Sequence, residues 1–173
     1  MRERLAWDSD GGDWPNRAAS HFVHAGGLSW HVQQFLDAGD DAPLVLLLHG
    51  TGSSSHSWRD VAPALARHCR VLVPDLPGHA FTSMPTPSSE QSLPGMARRV
   101  EQLLEALQLR PTVIVGHSAG AAVGAQLADP SDRLAARVTK AFIGNDDVTR
   151  LEQLIDRVEQ EVPPLTRFIL PGG

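Results

Sequence analysis

Between Leu28 and Phe35 the chain alternates: Leu28, Trp30 and Val32 are apolar, whereas Ser29, His31 and Gln33 are polar. Period-two alternation marks a strand with one buried face. His21-Phe22-Val23-His24 precedes it across Ala25-Gly26-Gly27, so the two segments predict an antiparallel hairpin. From Leu44 the pattern changes. Leu44-Val45-Leu46-Leu47-Leu48, Val71-Leu72-Val73-Pro74 and Pro111 to Val115 offer no polar face. Such runs predict central parallel strands covered on both sides. Between them the spacing becomes helical. Residues 55–68 carry Trp58, Val61 and Leu65 at helical intervals. Met96, Val100, Leu103, Leu104 and Leu107 form one apolar stripe, with Arg98, Arg99, Glu101 and Glu105 opposite. Residues 83–94 are rich in Ser and Pro and predict a loop.

Beyond Ala128 the pattern predicts a turn at Asp129–Asp132 and a strand from Val138 to Ile143. A helix from Leu151 to Val162 follows, stopped by Pro163-Pro164, and then a last strand from Thr166 to Leu170. Strand and helix in alternation predict βαβ units. The expected architecture is therefore α/β: one domain over 1–173, with a mostly parallel central sheet, helices on both faces and an N-terminal antiparallel hairpin. Residues 8–19 are polar and turn-rich, an arm with Trp14 as its anchor.

Composition narrows the function classes. With 42% hydrophobic and 20% charged residues, 173 residues suit one globular domain with a sizeable core. The net charge of −5 comes without any basic run, which argues against nucleic acid as a partner. Cys69 is the single cysteine, so no disulfide forms within the chain and a reducing compartment fits. The first residues lack the apolar core of a signal peptide, and Pro43 to Leu48 is too short to span a membrane. A cytoplasmic location is expected, with peripheral membrane contact left open. His21, His24 and His31 belong to no metal-like cluster and are expected on the surface or rim. Neither a metal nor a cofactor is expected.

The third strand runs directly into Gly116-His117-Ser118-Ala119-Gly120 and then an Ala-rich helical segment. Gly-x-Ser-x-Gly between strand and helix is the setting of a nucleophile elbow: a serine at the tip of a strained turn, with small residues where strand and helix nearly touch. The first central strand ends in His49-Gly50-Thr51-Gly52 and the second in Asp75-Leu76-Pro77-Gly78-His79.

These three motifs, in this order, resemble the α/β-hydrolase fold superfamily. Asp13-Trp14-Pro15-Asn16-Arg17, Ser57-Trp58-Arg59-Asp60 and Leu93-Pro94-Gly95-Met96-Ala97 are similar to the magnesium-chelatase accessory hydrolases of bacteriochlorophyll biosynthesis, over about residues 5–125. The resemblance implies an ester-like or tetrapyrrole-type small-molecule substrate and association with magnesium chelatase. It makes Ser118 the nucleophile, with the backbone N–H groups of Thr51 and Ala119 as oxyanion donors. His49, Gly50 and Trp58 would line the substrate pocket, Trp58 packing in the core being the other reading. His117 would point into sheet–helix packing.

The family's acid follows a later strand, which favours Asp147 with Asp146 second; a solvated helix cap is the alternative for both. The family's base is a histidine after the last strand, but all eight histidines lie at or before His117. The cap, the histidine loop and the final helix of the family have no evident counterpart. Three explanations stay open: a shortened hydrolase, a non-catalytic accessory protein, or a base supplied upstream by His56 or His79. Ala80 stands where the family usually has glycine.

Overall fold

The computed structural model describes residues 5–86, 91–127 and 139–142. Its sheet has six strands: β1 (Ser20–Ala25), β2 (Leu28–Phe35), β3 (Leu44–Leu48), β4 (Arg70–Pro74), β5 (Val113–Gly116) and β6 (Thr139–Phe142), in the order β1-β2-β4-β3-β5-β6. β1 and β2 form the expected hairpin, and β2 runs antiparallel to β4. The remaining pairings, β3 with β4 and β5, and β5 with β6, are parallel.

The unbroken apolar runs are explained by two cores. Leu44, Leu46, Leu48, Leu72 and Ile114 face α3 (Leu93–Ala106) and α4 (Ala119–Leu127), packing on Val100, Leu103, Leu104, Val123 and Leu127. Val45, Leu47, Val71, Val73, Val113 and Val115 face the other way, onto Trp58, Ala62, Leu65 and Cys69. β3 sends its chain to β4 on one side, while β5 pairs on its other side. This reversal of strand order is where open α/β sheets leave a crevice at the carboxyl ends of their strands.

Three expectations are corrected. Residues 55–68 do not form one helix: a 3-10 turn (Ser55–Trp58) is followed by the short α2 (Val61–Leu65). Pro63 explains the break, because it lacks an N–H and its ring would clash with the carbonyl four residues back in a continuous helix. α3 starts at Leu93, inside the expected loop, because Ser92 caps it by accepting Gly95 N–H at 3.2 Å and Pro94 suits the first turn.

The third correction is His31, which is wholly buried rather than at the rim, although His21 and His24 are exposed. The N-terminal arm covers it. That arm comprises α1 (Trp7–Asp10) and a 3-10 turn (Arg17–Ala19). Trp7, Trp14, Phe22 and Phe81 pack around the His31 ring, with centroids 5.0 to 6.2 Å away. Trp14 is the expected anchor, donating its Nε1–H to Ser55 Oγ at 3.3 Å. The expected elements at 151–162 and 166–170 lie outside the described residues.

Candidate active site

The elbow forms between β5 and α4. Ser118 is exposed and sits at φ +52°, a left-handed conformation that is costly for a residue with a Cβ. Its flanking glycines are required by contact. A side chain at Gly116 would come 2.5 Å from Ala121 Cα. One at Gly120 would run into the carbonyl oxygens of Leu48 and His49 at the end of β3. Gly120 thus lets α4 begin directly against β3, which brings the elbow beside the loop that leaves this strand.

That loop begins with His49-Gly50-Thr51. A side chain at Gly50 would lie 2.9 Å from His117 Nδ1 and 3.2 Å from Ser118 Cβ, so the loop and the elbow touch. Among the described residues, neither Thr51 N–H nor Ala119 N–H donates to a backbone acceptor. Ala119 opens α4, where unpaired N–H groups and the helix dipole favour negative charge.

His49 is wholly buried, and both its ring nitrogens are engaged. Nδ1–H donates to Gly50 O at 2.8 Å and Nε2 accepts Leu76 N–H at 2.8 Å. Burial pushes the imidazole down to about 4, partly opposed by the Gly50 carbonyl, so the ring is neutral at neutral pH. Trp58 is 4% exposed and packs in the second core. His117 is half-buried against Gly50.

Asp75, which no pattern in the sequence singles out for a role, is fully buried and accepts three N–H groups. Its Oδ1 takes Ser55 N–H at 2.6 Å, and its Oδ2 takes His31 Nδ1–H at 2.7 Å and Phe81 N–H at 3.4 Å. His31 Nε2 then meets Ser20 Oγ at 3.0 Å.

The two upstream histidines are engaged elsewhere. His56 is exposed and packs on Trp14, with ring centroids 5.6 Å apart. His79 Nδ1–H donates to Pro77 O at 3.1 Å, and its ring lies 5.1 Å from that of His49. Asp146 and Asp147 lie outside the described residues. Among the described residues no group of three His, Cys, Asp or Glu is placed to hold a metal ion.

A strained serine between a parallel strand and a helix, touching the loop that leaves the neighbouring strand at the switch point of an α/β sheet, defines an α/β-hydrolase architecture. The chain belongs to the alpha/beta hydrolase fold family, whose model matches residues 43–155. It is 42% identical over 117 residues to the magnesium-chelatase 30 kDa subunit of Rhodobacter capsulatus, covering 67% of this chain and 40% of that protein. It is 37% identical over 107 residues to the 2-hydroxy-6-oxo-6-(2'-aminophenyl)hexa-2,4-dienoic acid hydrolase of Metapseudomonas resinovorans, covering 60% of this chain and 35% of that enzyme. Among solved structures, an epoxide hydrolase variant from Vigna radiata matches with a TM-score of 0.62 at 26% identity, over 73% of this chain and 38% of that one. The chain therefore spans well under half the length of each of these relatives. No helix among the described residues is long and apolar enough to cross a membrane.

Proposed function

We propose that this chain carries the nucleophile and oxyanion loop of a serine hydrolase that cleaves an ester, thioester or amide through an acyl-enzyme. The observation that carries the proposal is the positive φ of exposed Ser118 beside the Gly50-Thr51 loop. In this reading Ser118 Oγ attacks the substrate carbonyl carbon and gives its proton to a base. The carbonyl electron pair moves onto oxygen, where Thr51 N–H and Ala119 N–H stabilise it. The pair then returns, the bond to the leaving group breaks, and the leaving group takes the proton. Water repeats the sequence in reverse and frees Ser118.

Asp147 is the proposed acid, with Asp146 second. The assignment rests on sequence position: both follow Phe142, which pairs with Gly116 in the parallel ladder between β6 and β5. His49 and Gly50 would border the pocket. Trp58 would act from behind it, through the core. Identity to the chelatase subunit favours a tetrapyrrole-type ester in bacteriochlorophyll biosynthesis and association with magnesium chelatase. The single buried thiol, Cys69, supports a cytoplasmic setting.

A second reading is an accessory or binding protein that keeps the elbow without turnover. It is favoured by one observation: among the described residues no histidine is hydrogen-bonded to Ser118, His56 and His79 included. The two readings separate in a p-nitrophenyl ester assay. Turnover lost in Ser118→Ala supports the hydrolase, while turnover equal in both proteins supports the accessory role.

A further inference from the structure

Two consecutive residues at the end of β4 grip both ends of the loop that carries Thr51. At the start of the loop, Leu76 N–H donates to His49 Nε2 at 2.8 Å. At its end, Asp75 Oδ1 accepts Ser55 N–H at 2.6 Å. Between these points the described backbone makes one bond across the loop, Ser53 N–H to Gly50 O at 3.2 Å. Ser55 is also held from outside by Trp14 Nε1–H at 3.3 Å.

A buried carboxylate is costly to desolvate unless N–H donors surround it. Asp75 meets that need with Ser55 and Phe81 amides and with His31, whose ring is sealed beneath Trp7 and Trp14. None of these contacts reaches Ser118. Their common effect falls on the loop, because Ser55 is where the chain leaves the oxyanion segment and enters the 3-10 turn Ser55–Trp58.

We infer that Asp75 is a positioning residue: through Ser55 N–H on one side and His31 on the other, it fixes the Gly50–Ser54 loop against the body of the protein. Oxyanion donors act only when they are already in place as charge develops, so a loosened loop slows acyl transfer without changing how a small probe binds. The consequence for chemistry rests on the serine-hydrolase reading; the clamp itself does not.

The test uses the 173-residue chain with Asp75→Leu, which removes the acceptor, and Asp75→Asn, which keeps an acceptor without the charge. Amide hydrogen exchange at Ser53 and Ser55 is followed by NMR, together with capture of Ser118 by a fluorophosphonate in the presence of imidazole. Exchange at both amides is expected to quicken about tenfold or more in Asp75→Leu and to be partly restored in Asp75→Asn, with β3 and β5 amides unchanged. Capture of Ser118 should slow by about tenfold at unchanged probe affinity. Unchanged exchange at Ser53 and Ser55 overturns the inference, and Asp75→Asn alone decides it if Asp75→Leu does not fold. Loosened amides with an undiminished capture rate overturn the positioning role. Loosened amides with no capture even in the parent chain overturn the hydrolase reading and leave the clamp standing.

Discussion

Leu76 donates its backbone N–H to His49 Nε2 at 2.8 Å, a bond that only an unprotonated ring nitrogen can accept. Burial holds the His49 imidazole down to about 4, from its usual 6.5. Above pH 6.5 the ring is neutral in both folded and unfolded chains and contributes no pH dependence. As the pH falls from 6.5 towards 4, the unfolded chain takes up a proton that the folded one refuses. Stability is lost across that window, by about 3 kcal/mol for this group. Urea midpoints measured from pH 7 to pH 4 should fall for the parent and fall less steeply for His49→Gln, which cannot titrate. Equal slopes would remove His49 as the cause.

Gly120 is set by the carbonyl oxygens of Leu48 and His49, which leave no room for a Cβ. Gly120→Ala should force α4 away from β3 and cost about 3 kcal/mol. Gly50→Ala meets a softer neighbour, the His117 ring at 2.9 Å, and should cost less stability but disturb the elbow more. Thermal denaturation beside Ser118 capture rates distinguishes the two: a stability defect for the first, a rate defect for the second.

Much of this was legible in the sequence. Leu44–Leu48, apolar on both faces, is β3 as expected, because burial on two sides leaves no room for alternation. The elbow glycines announce themselves because each meets a contact that only glycine permits. The burial of His31 is not legible in its strand, which alternates as a half-buried strand does, because what buries it is an arm of Trp7 and Trp14 from elsewhere in the chain. Asp75 opens the Asp75-Leu76-Pro77-Gly78-His79 motif, but its role is not legible there, since its partners Ser55 and His31 lie 20 and 44 residues away. The break before α2 was written in Pro63, whose effect on the preceding turn outweighs the helical spacing of Trp58, Val61 and Leu65. Asp147 rests on its sequence position alone.

Ala80 adopts φ +41°, a left-handed conformation that favours glycine. A left-handed alanine costs about 1–2 kcal/mol, while glycine's added freedom in the unfolded chain costs about 0.5–1 kcal/mol, so Ala80→Gly should raise stability by about 0.5 kcal/mol. A lower denaturation midpoint for Ala80→Gly would show that the alanine methyl contributes packing that outweighs the strain.

Cys69 is 2% exposed, donates to Leu65 O at 3.1 Å, and its thiol is pushed up to about 12 by burial. The thiolate is the reactive form, so the folded protein should resist iodoacetamide near neutral pH and react fully once unfolded in urea. Rapid alkylation under native conditions would mean that the second core opens easily around α2.

The central claim is that Ser118 stands in a preformed acyl-transfer site. Its most direct test is intact-mass measurement of fluorophosphonate capture, with and without imidazole as a freely diffusing base, for the parent and Ser118→Ala. The site described here predicts one adduct, mapped to Ser118, forming faster with imidazole and absent from Ser118→Ala. A folded parent that forms no adduct at Ser118, with imidazole present, would contradict it.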